Sequence, residues 1–284
     1  MKLIYALCGL LLANAVWAVP DVAVDGVRMP AWLERGTQRV PLAVGMELGN
    51  GDVLLTGQGS RVLLKTADGS DIRLGADGRF ELSGVSQSHD AHPEFKATLH
   101  AVKGAFRLTT AQHGKPHARE LMLQVAGVTA TTPGADVWGN TEGEDSGMVL
   151  LLAGKVAVVH GADAPLLLEQ PLVSLVMTRG AAPLSLTGIE AKRLDKLKQE
   201  TELAAGAVQS GGKWKVNLLE QDGEAATLAS YDALRTAGYD VRILPLAKGK
   251  YRLRIIQLPS RAGAEALADD LRGKMGIVAP AVSR

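Results

Sequence analysis

From Val22 to His160 the chain alternates apolar and polar residues in short runs punctuated by glycine. Arg61-Val62-Leu63-Leu64-Lys65 gives way to Asp68-Gly69-Ser70, then to Asp71-Ile72-Arg73-Leu74 and Asp77-Gly78. Aspartate-glycine pairs between alternating runs predict hairpins, because glycine tolerates the positive φ of tight turns. The same alternation predicts strands over 101–109, 121–126, 128–131, 148–152 and 155–159, with Ala153-Gly154 turning between the last two. No sustained 3.6-residue period occurs here, so the region reads as all-β: a sandwich, roll or short solenoid.

The grammar changes at Gly188. Ile189, Leu194, Leu197 and Leu203 lie among charged residues up to Ala205, which predicts a helix over 188–205 with a narrow apolar stripe. That stripe is too sparse for coiled-coil heptads and suits a packing or spacer helix. Ser210-Gly211-Gly212 then reads as a flexible joint. The last stretch, 213–284, spells β-α-β-β-α-β. Strands are expected at 213–219, 239–245, 251–258 and 277–279, and helices at 224–237 and 261–275, ended by Gly238 and Gly276. That order is the split-βαβ, ferredoxin-like arrangement, one four-stranded sheet with two helices on one face. The expected fold class is therefore multidomain: an all-β N-terminal domain over 20–160, a connector over 161–212, and an α+β domain over 213–284.

The N-terminus adds a targeting element. Met1-Lys2, the apolar run Leu3 to Ala13 and the small residues of Val16-Trp17-Ala18 form the pattern of a secretory signal peptide over 1–18. The run falls short of the roughly 20 apolar residues of a spanning helix. Cys8 lies in the middle of the run and follows Leu7, which disfavours a lipoprotein signal; an uncleaved anchor is the other alternative. Cleavage after Ala18 leaves a chain without cysteine, suited to an oxidising compartment. The expectation is a periplasmic protein with no stable membrane span after cleavage.

The chain has 284 residues, 46% hydrophobic and 21% charged, with a formal charge of +1. These values exclude a disordered or polytopic membrane protein and argue against a nucleic-acid binder. Charge is nevertheless partitioned. Residues 213–284 carry 12 Lys/Arg against 8 Asp/Glu, while residues 19–212 carry 18 against 22. Within the tail strands, alternation places Trp214, Val216, Leu218, Val241, Ile243, Tyr251, Leu253 and Ile255 toward the helices. Lys213, Lys215, Asn217, Arg242, Lys250, Arg252 and Arg254 then fall on the open face. A basic open face attracts a polyanionic or carboxylate-bearing ligand; a merely solvated sheet face is the alternative.

The tail resembles the SPOR (sporulation-related repeat) family through Trp214-Lys215-Val216-Asn217-Leu218, through Leu234 with Gly238-Tyr239, and through Tyr251-Arg252-Leu253-Arg254-Ile255. Ser260-Arg261 and Ala264-Glu265-Ala266 with Leu271 extend the match. The resemblance implies the βαββαβ fold and binding of peptidoglycan, notably denuded glycan strands, across the sheet. It places glycan contacts on Asn217, Lys250 and Arg252, with Arg242 and Arg254 as outer support. The chain departs from the family at Leu219-Glu220-Gln221 and Ile256-Gln257-Leu258, where glycine-bearing triplets are usual. Residues 22–159 resemble the FecR-type extracytoplasmic domain. That match rests on Gly45-Met46 and Leu48, on Gly51-Asp52 with Leu54, Thr56 and Gly57, on Asp68-Gly69-Ser70, and later on Gly104, Thr132-Pro133, Trp138-Gly139 and Gly154. It implies a β-rich periplasmic module used in sensing or envelope interaction.

Catalytic chemistry finds little support. His89, Asp90 and His92 in a polar loop have metal-ligand character, but loop histidines suffice to explain them. His113 and His117 are separated by Gly114 and Pro116, which removes the helix their spacing would need. Ser60 and Ser70 read as turn residues without a nucleophile elbow. Glu142, Glu144 and Asp145 sit at a glycine-rich tip where acids are ordinarily solvated. Phosphate-loop and dinucleotide motifs are missing. The sequence therefore predicts a non-enzyme with no cofactor, metal or nucleic-acid partner. Two readings remain: a glycan-binding SPOR-like domain displaying a FecR-like domain, with a role near cell division implied by the family, or an envelope protein whose modules bind other proteins.

Overall fold

A computed structural model describes residues 21–88, 94–110, 118–143 and 145–284. The first strands are β1 (Val22–Arg28), β2 (Ala31–Arg35), β3 (Gln38–Pro41), β4 (Glu47–Leu48), β5 (Val53–Thr56), β6 (Arg61–Thr66), β7 (Asp71–Leu74) and β8 (Arg79–Gln87). Three long strands follow the short β-hairpin region: β9 (Glu94–Thr109), β11 (Val128–Glu142) and β12 (Ser146–His160), with β10 (Ala118–Val125) between the first two. The domain closes with β13 (Leu166–Leu168), β14 (Ser174–Thr178) and β15 (Leu184–Leu186).

The long strands each serve two ladders. The first half of β9 lies between β8 and β10, and its second half lies between β7 and β11. β11 likewise runs from β10 to β9 while keeping β12 beside it throughout. One ladder therefore reads β3-β2-β5-β8-β9-β10-β11-β12-β13, and the other β1-β6-β7-β9-β11-β12-β14-β15. Phe80, Leu82, Phe95 and Leu99 from the first and Ile72, Phe106, Val137 and Leu151 from the second share one apolar core. Burial of that core is the main stabilising term.

Two sequence expectations are corrected by this architecture. Ala153-Gly154 does not turn between two strands; it sits inside β12 opposite register shifts in β11. Gly154 has φ +86, and a Cβ there would lie 2.4 Å from the Gly134 carbonyl oxygen. The glycine bends a continuous strand instead of ending it. Asp77-Gly78 is likewise no hairpin, since β7 and β8 do not pair with each other and belong to different ladders.

The predicted helix contracts to α1 (Ala191–Gln199), after which Thr201 is fully buried. Leu197, with Leu194 and Ile189, covers Trp138, Leu150 and Ala105 on the outside of the β domain. This is a packing helix. The strand β16 (Val208–Gln209) then joins β1, and Ser210 donates its amide to the Asp25 carbonyl at 2.9 Å. Gly212 lies against the backbone of Gln257 and Leu258, where a Cβ would meet the Gln257 carbonyl oxygen at 2.2 Å. The expected flexible joint is thus packed and hydrogen-bonded.

The remaining chain is β17 (Trp214–Asp222), α2 (Glu224–Thr236), β18 (Arg242–Pro245), β19 (Lys250–Leu258), α3 (Arg261–Leu271) and β20 (Ala281–Ser283). Its sheet has the order β18-β19-β17-β20, all antiparallel. β20 falls later than the expected 277–279, because Gly273 to Ile277 close a turn through the Gly273 amide and the Ile277 carbonyl at 2.7 Å. Ile277 is buried from that turn instead of from a strand. Val216, Leu218, Leu253 and Ile255 face α2 and α3 with Leu234, Leu267 and Leu271 in the same core.

The two units are in contact. Ala31 donates to the Gly238 carbonyl at 3.1 Å, Trp32 Nε1 to the Thr236 carbonyl at 3.0 Å, and Arg28 pairs with Asp270 at 2.9 Å. Gly238, at φ +87, stands where a Cβ would come within 2.6 Å of the Trp32 ring. Only glycine ends α2 and admits the indole at once.

Candidate functional site on the open sheet face

The free face of the β18-β19-β17-β20 sheet collects the sequence-predicted residues. Register places Asn217 opposite Arg254, and Arg254 opposite Arg242, so the three form a row across three adjacent strands. The next row is Glu220, Arg252 and Leu244, and the third is Asp222 and Lys250. All five predicted contacts, Asn217, Arg242, Lys250, Arg252 and Arg254, therefore share one surface.

Their charge state differs from the sequence expectation. Arg252 donates from Nε to Glu220 Oε1 at 2.8 Å and pairs with the same carboxylate through its terminal nitrogen. Lys250 lies 3.7 Å from Asp222, and Arg242 donates to Asp240 at 3.1 Å. The expected uniformly basic face is thus half neutralised by acids from β17. A bulge explains why alternation missed this. Between Asn217 and Leu219 the ladder gains a residue in β17, so Leu219 pairs with Leu253 and Glu220 pairs with Arg252. Without the bulge, parity sends Glu220 to the helix side with Val216. With it, Gln221 is the residue that turns inward, and its Nε2 donates to Ser230 of α2 at 2.9 Å. The strand also continues to Asp222, beyond the expected end at Leu219.

The first row retains its positive charge. No carboxylate pairs with Arg254 among the described residues, and its Nε is buried without a hydrogen-bond partner within the protein. Like charges directly opposite in neighbouring strands destabilise a sheet, and a buried unpaired donor costs about 1–3 kcal/mol. Arg242 shares Asp240 with Arg235, which lies 3.7 Å away. Burial pushes the Asp240 carboxyl up from its ordinary range, against the pull of Arg242 and Arg235. Asn217 donates from Nδ2 to the Ser283 hydroxyl at 3.3 Å and is held in place by it. Beside the row, residues Asn217 to Glu220 with Gly276, Val278, Ala279 and Ala281 border an open groove of 360 Å³. Val278, 78% exposed, stands at this groove. The arrangement can seat a carboxylate on Arg254 and Arg242, with an amide at one end and an apolar wall beside it.

The other candidates separate. His89, Asp90, His92, His113, His117 and Glu144 lie outside the described residues, as does the signal-peptide region with Cys8. Among the described residues no group of three or more His, Cys, Asp or Glu side chains converges, and no helix is long and apolar enough to cross a membrane. Asp145 pairs with Arg179 at 2.8 Å, away from Glu142, which borders a cleft with Arg61 and Lys103. The Ser70 hydroxyl donates to buried Asp68 at 2.7 Å, a hairpin-building contact. The motif residue Asp52 is also structural. It takes a bidentate pair from Arg35 at 2.7 and 2.6 Å and the Gly49 amide at 2.8 Å.

Comparison with known proteins bears on the β domain. Residues 52–157, from the head of β5 into β12, match the family described as FecR protein. This part of the chain is FecR-like. Two solved structures, both described as candidate anti-sigma factors from Parabacteroides distasonis ATCC 8503, are similar to the chain. One has 12% identity with a TM-score of 0.40, over 77% of this chain and 89% of the other. The second has 9% identity and a TM-score of 0.40, over 70% of this chain and 96% of its own. No curated protein matches the chain. The FecR match ends before the C-terminal unit, whose open face stands on its geometry alone.

Proposed function

We propose that this is a non-enzymatic envelope protein, exported to the periplasm, that binds peptidoglycan glycan strands through its C-terminal unit and holds a FecR-like β domain beside them. The observation that carries this reading is the row Asn217–Arg254–Arg242, a cationic site with one shared acid and a buried donor lacking a partner. Muramyl lactyl carboxylates, exposed on glycan strands stripped of stem peptides, are the matching anions. The SPOR-like residues of β17 and β19 and the ferredoxin-like strand order support the same reading. Arg252 and Lys250, already paired with Glu220 and Asp222, serve as flanking contacts and not as the anchor.

A second reading, a sheet that binds proteins, is favoured by those same two acid pairs, which leave a mixed-charge surface. Co-sedimentation of the full chain with sacculi, before and after amidase treatment, separates the two. Glycan binding predicts pelleting that rises on denuded glycan, falls between about 50 and about 300 mM salt as the Debye length shrinks from about 14 to about 6 Å, and is lost in Arg254→Glu. Absence of pelleting at low salt would leave the protein-binding reading standing.

A further inference from the structure

A second binding site lies at the junction of the two units, on surface that the glycan reading does not use. Trp32, Arg39, Pro41, Asp232, Arg235 and Thr236 border a cleft of 450 Å³ between the β2–β3 hairpin and the C-terminal end of α2. Both units contribute to its wall, so the cleft exists only when they are docked. Clefts between domains are preferred ligand sites.

The electrostatics are unusual for a structural crevice. Register places Arg39 opposite Glu34, its natural cross-strand partner, but Glu34 is taken by Arg79 at 2.9 Å. Arg39 instead lies over the Trp32 ring, 4.6 Å from its centroid, with no carboxylate in ion-pair range among the described residues. The indole cannot swing away, because its Nε1 is tied to Thr236. Across the cleft, Arg235 lies over Tyr231 at 5.3 Å and shares Asp240 with Arg242. The exposed Asp232 is the one acid in the wall.

The backbone adds a directional element. β3 pairs only with β2 among the described residues, so its outer edge has no neighbouring strand. The two-residue turn Gly36-Thr37 makes Arg35–Gln38 and Leu33–Val40 the hydrogen-bonded pairs. The Leu42 amide on the Ala31 carbonyl at 2.9 Å keeps the same phase. The amide and carbonyl of Arg39 and the carbonyl of Pro41 therefore face the outer edge of β3, which α2 approaches across the cleft. Proline at 41 lacks an amide, which confines this strand to an edge and limits it to short, specific pairing.

We propose that this junction binds an extended acidic segment of a partner protein. The segment adds to the β3 edge at Arg39 and sets a carboxylate between the Arg39 and Arg235 guanidinium groups. Strand addition supplies affinity, and the two arginines select an acidic residue at the position set between them. Small carboxylates lack the backbone and bind far more weakly at the same place.

The test uses the full chain and an acetylated, amidated peptide of alternating Glu and Val, with a Lys/Val peptide as control and free acetate as competitor. Fluorescence anisotropy is the readout. The expected result is saturable binding of the Glu/Val peptide only, weakened about tenfold or more by Arg39→Glu, a solvent-exposed change that leaves the fold intact. Arg39→Lys keeps charge but loses the planar fork and falls between. Arg254→Glu on the open sheet face changes no residue of the cleft and leaves peptide binding unchanged, so this site and the glycan face fail or survive separately. No binding of the Glu/Val peptide, equal binding of both peptides, or loss through Arg254→Glu but not Arg39→Glu each overturns the proposal.

Discussion

The β domain and the C-terminal unit treat buried carboxylates in opposite ways. Asp52 is 1% exposed and Asp240 is 8% exposed, and each has arginine partners. Burial alone pushes the Asp52 carboxyl up, but the bidentate Arg35 pair and the Gly49 amide outweigh it and hold it below the usual range. For Asp240 burial prevails over Arg242 and Arg235, whose contacts are single and longer, and the carboxyl is raised. Asp68, fully buried, accepts from Thr66 at 2.5 Å, from Ser70 at 2.7 Å and lies 3.3 Å from Arg119. In the β domain, then, the conspicuous polar motif residues are consumed in building hairpins. In the C-terminal unit Arg254 has no carboxylate partner among the described residues, and Arg242 holds Asp240 jointly with Arg235.

The sharpest way to break this contrast is Asp68→Ala. The side chain of Arg119 is 11% exposed and would lose its buried acid, while two hydroxyl donors lose their acceptor. Removing one partner of a buried pair costs about 3 kcal/mol. Denaturant unfolding of the full chain should show a loss of that size, and a change below about 1 kcal/mol would mean the motif aspartates are not structural.

The pH dependence of Asp52→Asn and Asp240→Asn sharpens it further, because the signs oppose. A carboxyl lowered in the folded state contributes stability above its unfolded range, and that stability is lost as pH falls through the folded value. Asp52→Asn should therefore cost about 2 kcal/mol at pH near 7, with the deficit shrinking toward pH near 3. A raised carboxyl contributes stability that is present at low pH and lost as pH rises through the folded value. Asp240→Asn should accordingly match the parent protein at the acid end and gain on it toward neutrality. Parallel slopes for the two variants would remove the distinction between the regions.

How much of this was legible beforehand depended on whether a residue's role is set by its strand parity or by its neighbours. Helix α2, the element order of the tail and the shared face of Asn217, Arg242, Lys250, Arg252 and Arg254 follow from the glycine stop at 238 and from period-2 alternation, whereas α3 ends at Leu271, short of the expected stop at Gly276. The pairing of Arg252 with Glu220 does not, because a bulge at Leu218 inverts the parity of everything after it. Nothing local in Asn217-Leu218-Leu219 signals a bulge; only the register against Arg254 and Leu253 reveals it. Alternation splits β12 at Gly154, since glycine inside a bent strand looks like glycine in a turn, and it reaches only 101–109 of β9 and 128–131 of β11. The junction cleft was invisible for a simpler reason. Trp32 and Arg235 are more than a hundred residues apart, and Arg39 looks paired until Arg79 is seen to take Glu34.

Stability and binding should part company at Arg254. Its Nε has no partner and Arg242 faces it directly, so Arg254→Met removes a desolvated donor and a like-charge contact while keeping the apolar stem. The expected change in stability is at most about 0.5 kcal/mol, in either direction, because the lost stem packing offsets the relief. Pelleting with denuded sacculi, in contrast, should fall several-fold. The mirror experiment is Glu220→Gln, which releases Arg252 from its acid on an exposed surface pair worth under about 1 kcal/mol. That variant should hold its stability and bind sacculi more tightly, because a third cation joins Arg254 and Arg242 on the open face. If Arg254→Met lowers stability and leaves pelleting alone, the row is structural, and the C-terminal unit resolves its charges as the β domain does.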